Sequence, residues 1–167
     1  MQALLSIFRT TDHILSLSLA DLTEEQARHR SRGDAGPSIT WTVGHMLNQR
    51  HQVLAFLGDQ PESPWEASFG DVAATDGAGY PTLATMRAEW QQMHDEIERA
   101  FASLTPEMLD RPADSRGVHG ESSIRDKVSF IAWHEGYHVG VIGAIRTAAG
   151  LPGPADLARA ASPARTS

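Results

Sequence analysis

The sequence predicts an all-α fold, a four-helix bundle with long crossover connections. Four long segments carry apolar residues at helical spacing, and no segment shows a convincing alternation of period two. Two of the three connections between these segments are long for a simple up-and-down bundle, so we expect one or more to cross the bundle end. We predict that residues 1–152 form the bundle and that residues 153–167 form a mobile C-terminal tail.

The first long segment runs from about Gln2 to Ala20, where Leu and Phe side chains recur at helical spacing. Leu22–Gln26 follows as a short helical turn in which Thr23 is the expected cap. Arg30–Pro37 holds two glycines and a proline, and is predicted to be a loop.

The second long segment begins at Pro37-Ser38, with Ser38 as N-cap, and ends at Gly58–Pro61. Its main apolar stripe is Ile39, Val43, Met46, Leu47, Val53, Leu54 and Leu57. Residues 59–79 are rich in Pro, Gly, Ser and Ala and are predicted to be a loop. Trp65 and Phe69 are expected to pin this loop to the body of the protein.

The third long segment spans Pro81 to about Leu104, with Pro81 suited to a first helical turn. Thr105–Leu109 resembles the short turn after the first segment. The fourth long segment begins at Ser122-Ser123. Ser123 and Asp126 are predicted to cap it reciprocally, and Gly150–Pro154 ends it.

Composition excludes several functional classes. The net charge of −7 repels phosphate backbones, so we expect no nucleic-acid partner. The absence of cysteine excludes disulfides and thiolate ligands, so any metal must use His, Asp or Glu. The N-terminus lacks the unbroken apolar core of a signal peptide, and no apolar run approaches the ~20 residues that span a bilayer. We therefore predict a soluble, cytoplasmic protein without a membrane partner.

The most informative motif is His134-Glu135-Gly136-Tyr137-His138 in the fourth segment. Histidines four residues apart project from one face of a helix, where both can bind one metal ion. The string also fits the H-E-x-x-H helix of zinc proteases. Such proteases usually take their third ligand from downstream, where this chain offers only Asp156, so the protease interpretation is rejected.

A third ligand must come from upstream of the pair and therefore from another helix. His45 in the second segment is the best candidate, although spacing alone does not separate it from His94 in the third. Periodicity favours a structural role for His94. Four other histidines fall on polar faces or in loops and are expected to be solvated: His13, His29, His51 and His119.

Glu135 is the candidate catalytic residue, as a base acting on metal-bound water. It is equally compatible with hydrogen bonding to a ligand or with a place on the surface. Arg50, Arg125 and Arg146 carry the charge needed to bind an acidic substrate, but we interpret each as an ordinary surface or helix-end charge.

The chain resembles the DinB/YfiT-like superfamily of bacterial four-helix bundles. The resemblance rests on Pro37–His45 and on Ser123–Asp126 leading to His134–Gly140, and covers residues 2 to about 150. It implies three histidine ligands, His45, His134 and His138, for a divalent metal, most often nickel or zinc. Many members have Gly-Gln after the last histidine, where this chain has Gly140-Val141, so the finer subgroup is open.

The resemblance also implies a homodimer and a small-molecule substrate. Some relatives are S-transferases that use a low-molecular-weight thiol, and others are hydrolases. We predict a metal-dependent enzyme, with thiol-dependent S-transfer as the first hypothesis and hydrolysis as the alternative. The competing class is a non-catalytic, stress-associated bundle that binds a ligand or keeps a metal for stability.

Overall fold

The structure is a computed structural model that describes residues 1–33, 35–58, 63–70, 72–75, 77–113 and 122–162. Its long helices are α1 (Gln2–Ala20), α3 (Ile39–Leu57), α5 (Leu83–Ala102) and α7 (Ile124–Ala148). Its short helices are α2 (Glu24–Arg28), α4 (Glu66–Phe69), α6 (Pro106–Leu109) and α8 (Pro154–Ala161). Two short antiparallel strands, β1 (Arg30–Arg32) and β2 (Ala35–Ser38), lie between α2 and α3.

The long helices form a four-helix bundle with an unusual order. Both α1 and α3 pack against α5 and α7, so among the described residues α1 lies diagonally across from α3, and α5 from α7. The connections from α1 to α3 and from α5 to α7 therefore cross the bundle. The predicted fold class is confirmed, and this order makes α3 and α7 neighbours.

Side-chain caps set the helix boundaries. Ser38 caps α3 by accepting a hydrogen bond from the backbone N–H of Trp41, and Ser123 and Asp126 form the predicted reciprocal cap of α7. The start predicted for the third helix was wrong by two residues. The hydroxyl of Thr82 caps α5, so Pro81 precedes the helix instead of lying in its first turn.

The predicted loop at Arg30–Pro37 contains the β-hairpin, and this is a correction. Its strands are three and four residues long, too short for a period-two pattern to be visible. Gly33 and Gly36 have positive φ angles of 61° and 77°, which glycine adopts without steric cost, and they allow the chain to reverse.

We predicted a mobile tail after residue 152, and within this segment Pro154–Ala161 forms the helix α8. α8 packs against α1. Pro154 begins the helix and lies against Gly143 of α7, where a Cβ would come within 2.9 Å of the proline ring. The domain boundary itself stays a prediction, and residues 163–167 lie outside the described residues.

The core is built from the predicted apolar stripes. All seven stripe residues of α3 are buried, and Trp65 and Phe69 are buried against the body as predicted. Among the described residues, no helix combines the length and apolarity that crossing a membrane would require.

Candidate metal centre

The structure brings together the three histidines that the resemblance selected. His45 lies on α3, and His134 and His138 lie one turn apart on the neighbouring α7. Each offers an imidazole nitrogen, and the three nitrogens lie within 4.8 Å of one another. The Nε2 atoms of His134 and His138 are 3.0 Å apart. Among the described residues, this group contains no carboxylate.

The orientation of His45 is fixed from two sides. Its Nδ1 lies 2.7 Å from the carbonyl oxygen of Phe69. A carbonyl only accepts, so Nδ1–H is the donor and the neutral ring keeps its lone pair on Nε2. The Trp41 ring stacks on the imidazole, with centroids 5.0 Å apart and an interplanar angle of 6°. His45 is therefore held in the tautomer that binds a metal through Nε2.

Gly44 makes the contact between His45 and Phe69 possible. A Cβ at Gly44 would lie 2.5 Å from the nearest atom of the Phe69 ring, closer than any ordinary carbon contact. The absence of a side chain lets α4 approach α3, and this approach places the Phe69 carbonyl at the imidazole.

We expect Gly44→Ala to destabilise the protein by about 1–3 kcal/mol, the usual cost of overpacking. The added methyl group must displace the buried Phe69 ring and with it the carbonyl that holds His45. Urea denaturation measures the loss of stability. Gly140→Ala is the matched control, because nothing other than its chain neighbours and its own helix backbone lies within 4 Å of its Cβ position, and alanine favours a helix interior. Equal stability of the two variants would contradict the proposed role of Gly44.

Burial keeps the histidine pair of α7 neutral. Desolvation, with a smaller contribution from the neighbouring His45, lowers the pKa of His134 from 6.5 to about 4. Desolvation also lowers the pKa of His138, to about 3, with smaller contributions from His134 and His45. Both rings are thus uncharged at neutral pH, which is the form that binds a metal ion.

These pKa values predict that the metal-free protein loses stability in weak acid. Between the unfolded value of 6.5 and the folded values of about 4 and about 3, the unfolded chain binds more protons. The neutral His134–His138 pair therefore contributes fully to stability above the pKa of histidine in the unfolded chain. This contribution is lost as the pH falls toward the pKa values of the pair in the folded protein. Thermal melting of metal-free protein at about pH 7 and about pH 5 measures the change. His134→Gln/His138→Gln should show a smaller drop in melting temperature, and an equal drop would refute the assignment.

Aromatic side chains surround the histidines. The Phe130 ring stacks on His134 with centroids 5.6 Å apart, and the Tyr137 ring meets His138 edge-on at 5.0 Å. Phe130, Trp133 and Tyr137 form one stripe on α7 and are 40%, 62% and 56% exposed. An exposed apolar rim therefore lies beside the candidate metal centre.

Glu135 occupies a different environment from its two histidine neighbours. Its side chain is fully buried, which excludes a surface position. Its carboxylate accepts two hydrogen bonds from Arg50, at 2.7 and 3.1 Å, and one from Thr11 Oγ1 at 2.6 Å. Both oxygens thus already have partners. A role as base stays a prediction that this arrangement does not favour.

The interpretation of Arg50, Arg125 and Arg146 as ordinary surface or helix-end charges was wrong for Arg50, whereas Arg146 lies in the last turn of α7. Arg50 and Arg146 are fully buried, whereas Arg125 pairs with Asp110 near the surface. Hydrophobic spacing could not reveal this difference, because each buried guanidinium depends on a partner from another helix.

The other histidines that the structure describes lie apart from the centre. His94 Nδ1 is 3.6 Å from Asp12 Oδ1, so His94 contacts α1 and not the triad. His13 and His29 are exposed, as expected. His51 is partly buried, 3.3 Å from Glu89, and is not simply solvated. His119 lies outside the described residues.

The family model of the DinB superfamily matches residues 7–142. The chain belongs to the DinB superfamily. The match covers all three histidines of the centre and most of the bundle, so the predicted family is confirmed. No curated protein matches the sequence of this DinB-superfamily chain.

A solved structure supports the fold of this DinB protein. YfiT from Bacillus subtilis superposes with a TM-score of 0.68 at 15% sequence identity, covering 90% of this chain and 87% of YfiT. YfiT is described as a probable metal-dependent hydrolase with an unusual four-helix bundle topology. At this identity the likeness shows a shared fold.

The donor set of this DinB protein fits a divalent ion. Imidazole suits zinc, nickel, copper and iron, and zinc–nitrogen distances of about 2.0–2.1 Å allow two nitrogens as close as those of His134 and His138 to share one ion. Nδ1 of both residues is buried without a hydrogen-bond partner among the described residues. Burying two polar imidazole rings without all their hydrogen-bond partners costs free energy, and metal binding at Nε2 offsets part of this desolvation cost.

Proposed function

We propose that this DinB-superfamily protein is a metal-dependent hydrolase whose divalent ion is bound by His45, His134 and His138. The observation that carries the proposal is the convergence of three imidazole nitrogens within 4.8 Å from two neighbouring helices. The description of YfiT as a probable metal-dependent hydrolase supports hydrolysis over the S-transfer hypothesis.

Three neutral ligands leave the positive charge of an ion uncompensated by the protein. A divalent ion at this position would supply Lewis acidity, which activates water as a nucleophile at neutral pH. The Phe69 carbonyl keeps the Nε2 lone pair of His45 available, and burial keeps the α7 pair unprotonated. The exposed rim of Phe130, Trp133 and Tyr137 favours substrates with an apolar or aromatic group next to the reacting bond.

Metal-dependent turnover tests the proposal. Purified protein is stripped with a chelator, reloaded with Zn²⁺ or Ni²⁺, and assayed on aryl esters, amides and phosphate esters. We expect hydrolysis that requires the metal and is lost in His138→Ala. Metal binding without turnover on any of these substrates would favour the non-catalytic bundle.

Thiol-dependent S-transfer stays a prediction. Adding bacillithiol, mycothiol or glutathione with an electrophile to the same assay separates it from hydrolysis, because only a transferase requires the thiol. The homodimer, the cytoplasmic location and the choice between nickel and zinc also stay predictions.

A further inference from the structure

A buried ion pair connects the two helices that carry the histidines. Arg50 of α3 and Glu135 of α7 are both fully buried, and two hydrogen bonds join the guanidinium to the carboxylate. Glu135 directly follows His134, and Arg50 lies on the same helix as His45. We infer that the Arg50–Glu135 pair is a positioning element that sets the geometry of the metal centre, an inference that rests on the proposed metal function.

All four long helices contribute to the surroundings of this pair. Thr11 of α1 donates to Glu135, and the Arg50 guanidinium carbon lies 3.3 Å from the centre of the Trp90 ring of α5. Asp12 of α1 lies 4.0 Å from Arg50 Nη1. The partners come from α1, α5 and α7, so these contacts form together only when the helices hold one relative position.

The reason that such a pair controls position is its directionality. Apolar contacts between α3 and α7 are non-directional and tolerate small sliding movements. A two-point arginine–carboxylate contact requires a particular distance and orientation, and losing it inside the core leaves an uncompensated charge. The pair therefore selects one register of α3 against α7.

The metal centre depends on that same register. One ligand lies on α3 and two lie on α7, so a slide between the helices changes the distance from His45 to the α7 pair. Metal–ligand distances tolerate changes of only about 0.2 Å. The occupied carboxylate of Glu135 fits a residue that acts through helix position and does not touch the reacting atoms.

A second buried arginine provides a matched control. Arg146 of α7 is also fully buried, and its guanidinium donates two hydrogen bonds of 2.9 Å to the carboxylate of Asp21. Asp21 lies in the connection between α1 and α2. This contact joins α7 to the end of α1 and does not involve α3. Arg146→Lys and Arg50→Lys each remove a two-point contact of a buried arginine with a carboxylate, although the Asp21 side chain is 44% exposed and Glu135 is fully buried. Only Arg50→Lys alters the α3–α7 contact.

The experiment measures Co²⁺ affinity by chelator competition and the visible absorption spectrum of the Co²⁺ complex. We expect Arg50→Lys to weaken Co²⁺ binding about 10–100-fold and to change the spectrum, as loss of supporting partners does in other metal sites. Arg146→Lys should lower the melting temperature while keeping the wild-type affinity and spectrum. Equal weakening in both variants, or wild-type binding by Arg50→Lys, would overturn the inference.

The double variant Arg50→Met/Glu135→Met separates position from stability. Replacing a buried ion pair with apolar side chains of similar size is often neutral or stabilising, so this variant should fold. We expect it to bind Co²⁺ about 10–100-fold more weakly despite its stability. If the folded double variant bound Co²⁺ with wild-type affinity, the positioning role of the pair would be overturned, but the proposed metal function would stand. Failure of the wild-type protein to bind Co²⁺, Zn²⁺ or Ni²⁺ would overturn the proposed function as well.

Discussion

His138→Ala is expected to lower the affinity for Zn²⁺ or Ni²⁺ by at least about a hundredfold, more than the loss of a supporting hydrogen-bond partner causes. His138 is the most buried histidine of the pair on α7, and its ring faces both His45 and His134. Without it, only one nitrogen from each helix remains. Metal content after dialysis, together with titration against a chromophoric chelator, measures the loss.

His94→Ala is the control for this experiment. His94 is a partly buried histidine in the same bundle, but it contacts Asp12 and lies outside the triad. Its removal should leave the metal stoichiometry and affinity unchanged. If both variants lost the metal equally, the assignment of the ligands would be wrong.

Glu135→Leu is expected to destabilise the protein by about 3–5 kcal/mol, the usual result of removing one partner of a buried ion pair. The substitution leaves the guanidinium of Arg50 without its carboxylate in a position that water does not reach. Thr11 loses an acceptor in the same change. Urea denaturation of the metal-free protein isolates this effect from metal binding.

Glu98→Leu is the matched control for Glu135→Leu. Glu98 accepts two hydrogen bonds from Arg9, as Glu135 does from Arg50, but the Arg9 side chain is 54% exposed. Solvent screens an exposed pair, so its loss should change stability far less. Similar losses in the two variants would mean that Asp12 compensates the charge of Arg50.

Sequence reasoning was most accurate where local physical chemistry decides the structure. α1 occupies the predicted residues Gln2–Ala20, and Ser38 and Ser123 cap the helices that they were predicted to cap. Helical spacing and side-chain caps depend on residues a few positions apart, so they can be predicted directly from the sequence. The hairpin at Arg30–Ser38 and α8 were missed because each is short and depends on neighbouring segments.

The same distinction between local sequence and helix packing applies to the histidines. The spacing of His134 and His138 is a property of one helix, so the sequence alone identified them as a pair. The choice between His45 and His94 depends on which helix lies beside α7, and spacing left it open. The structure decides it, because α3 packs against α7 whereas α5, which carries His94, lies diagonally across from it.

The sequence by itself determined the four long helices, the caps of α3 and α7 and the paired histidines of α7. Only the tertiary structure decided the diagonal helix order, the convergence of His45 with the α7 pair and the placement of Glu135 with Arg50 in the core. The physical reason is the range of the interactions. Helix formation and capping depend on residues a few positions apart, whereas a metal centre and a buried ion pair depend on the packing of helices that are distant in the chain.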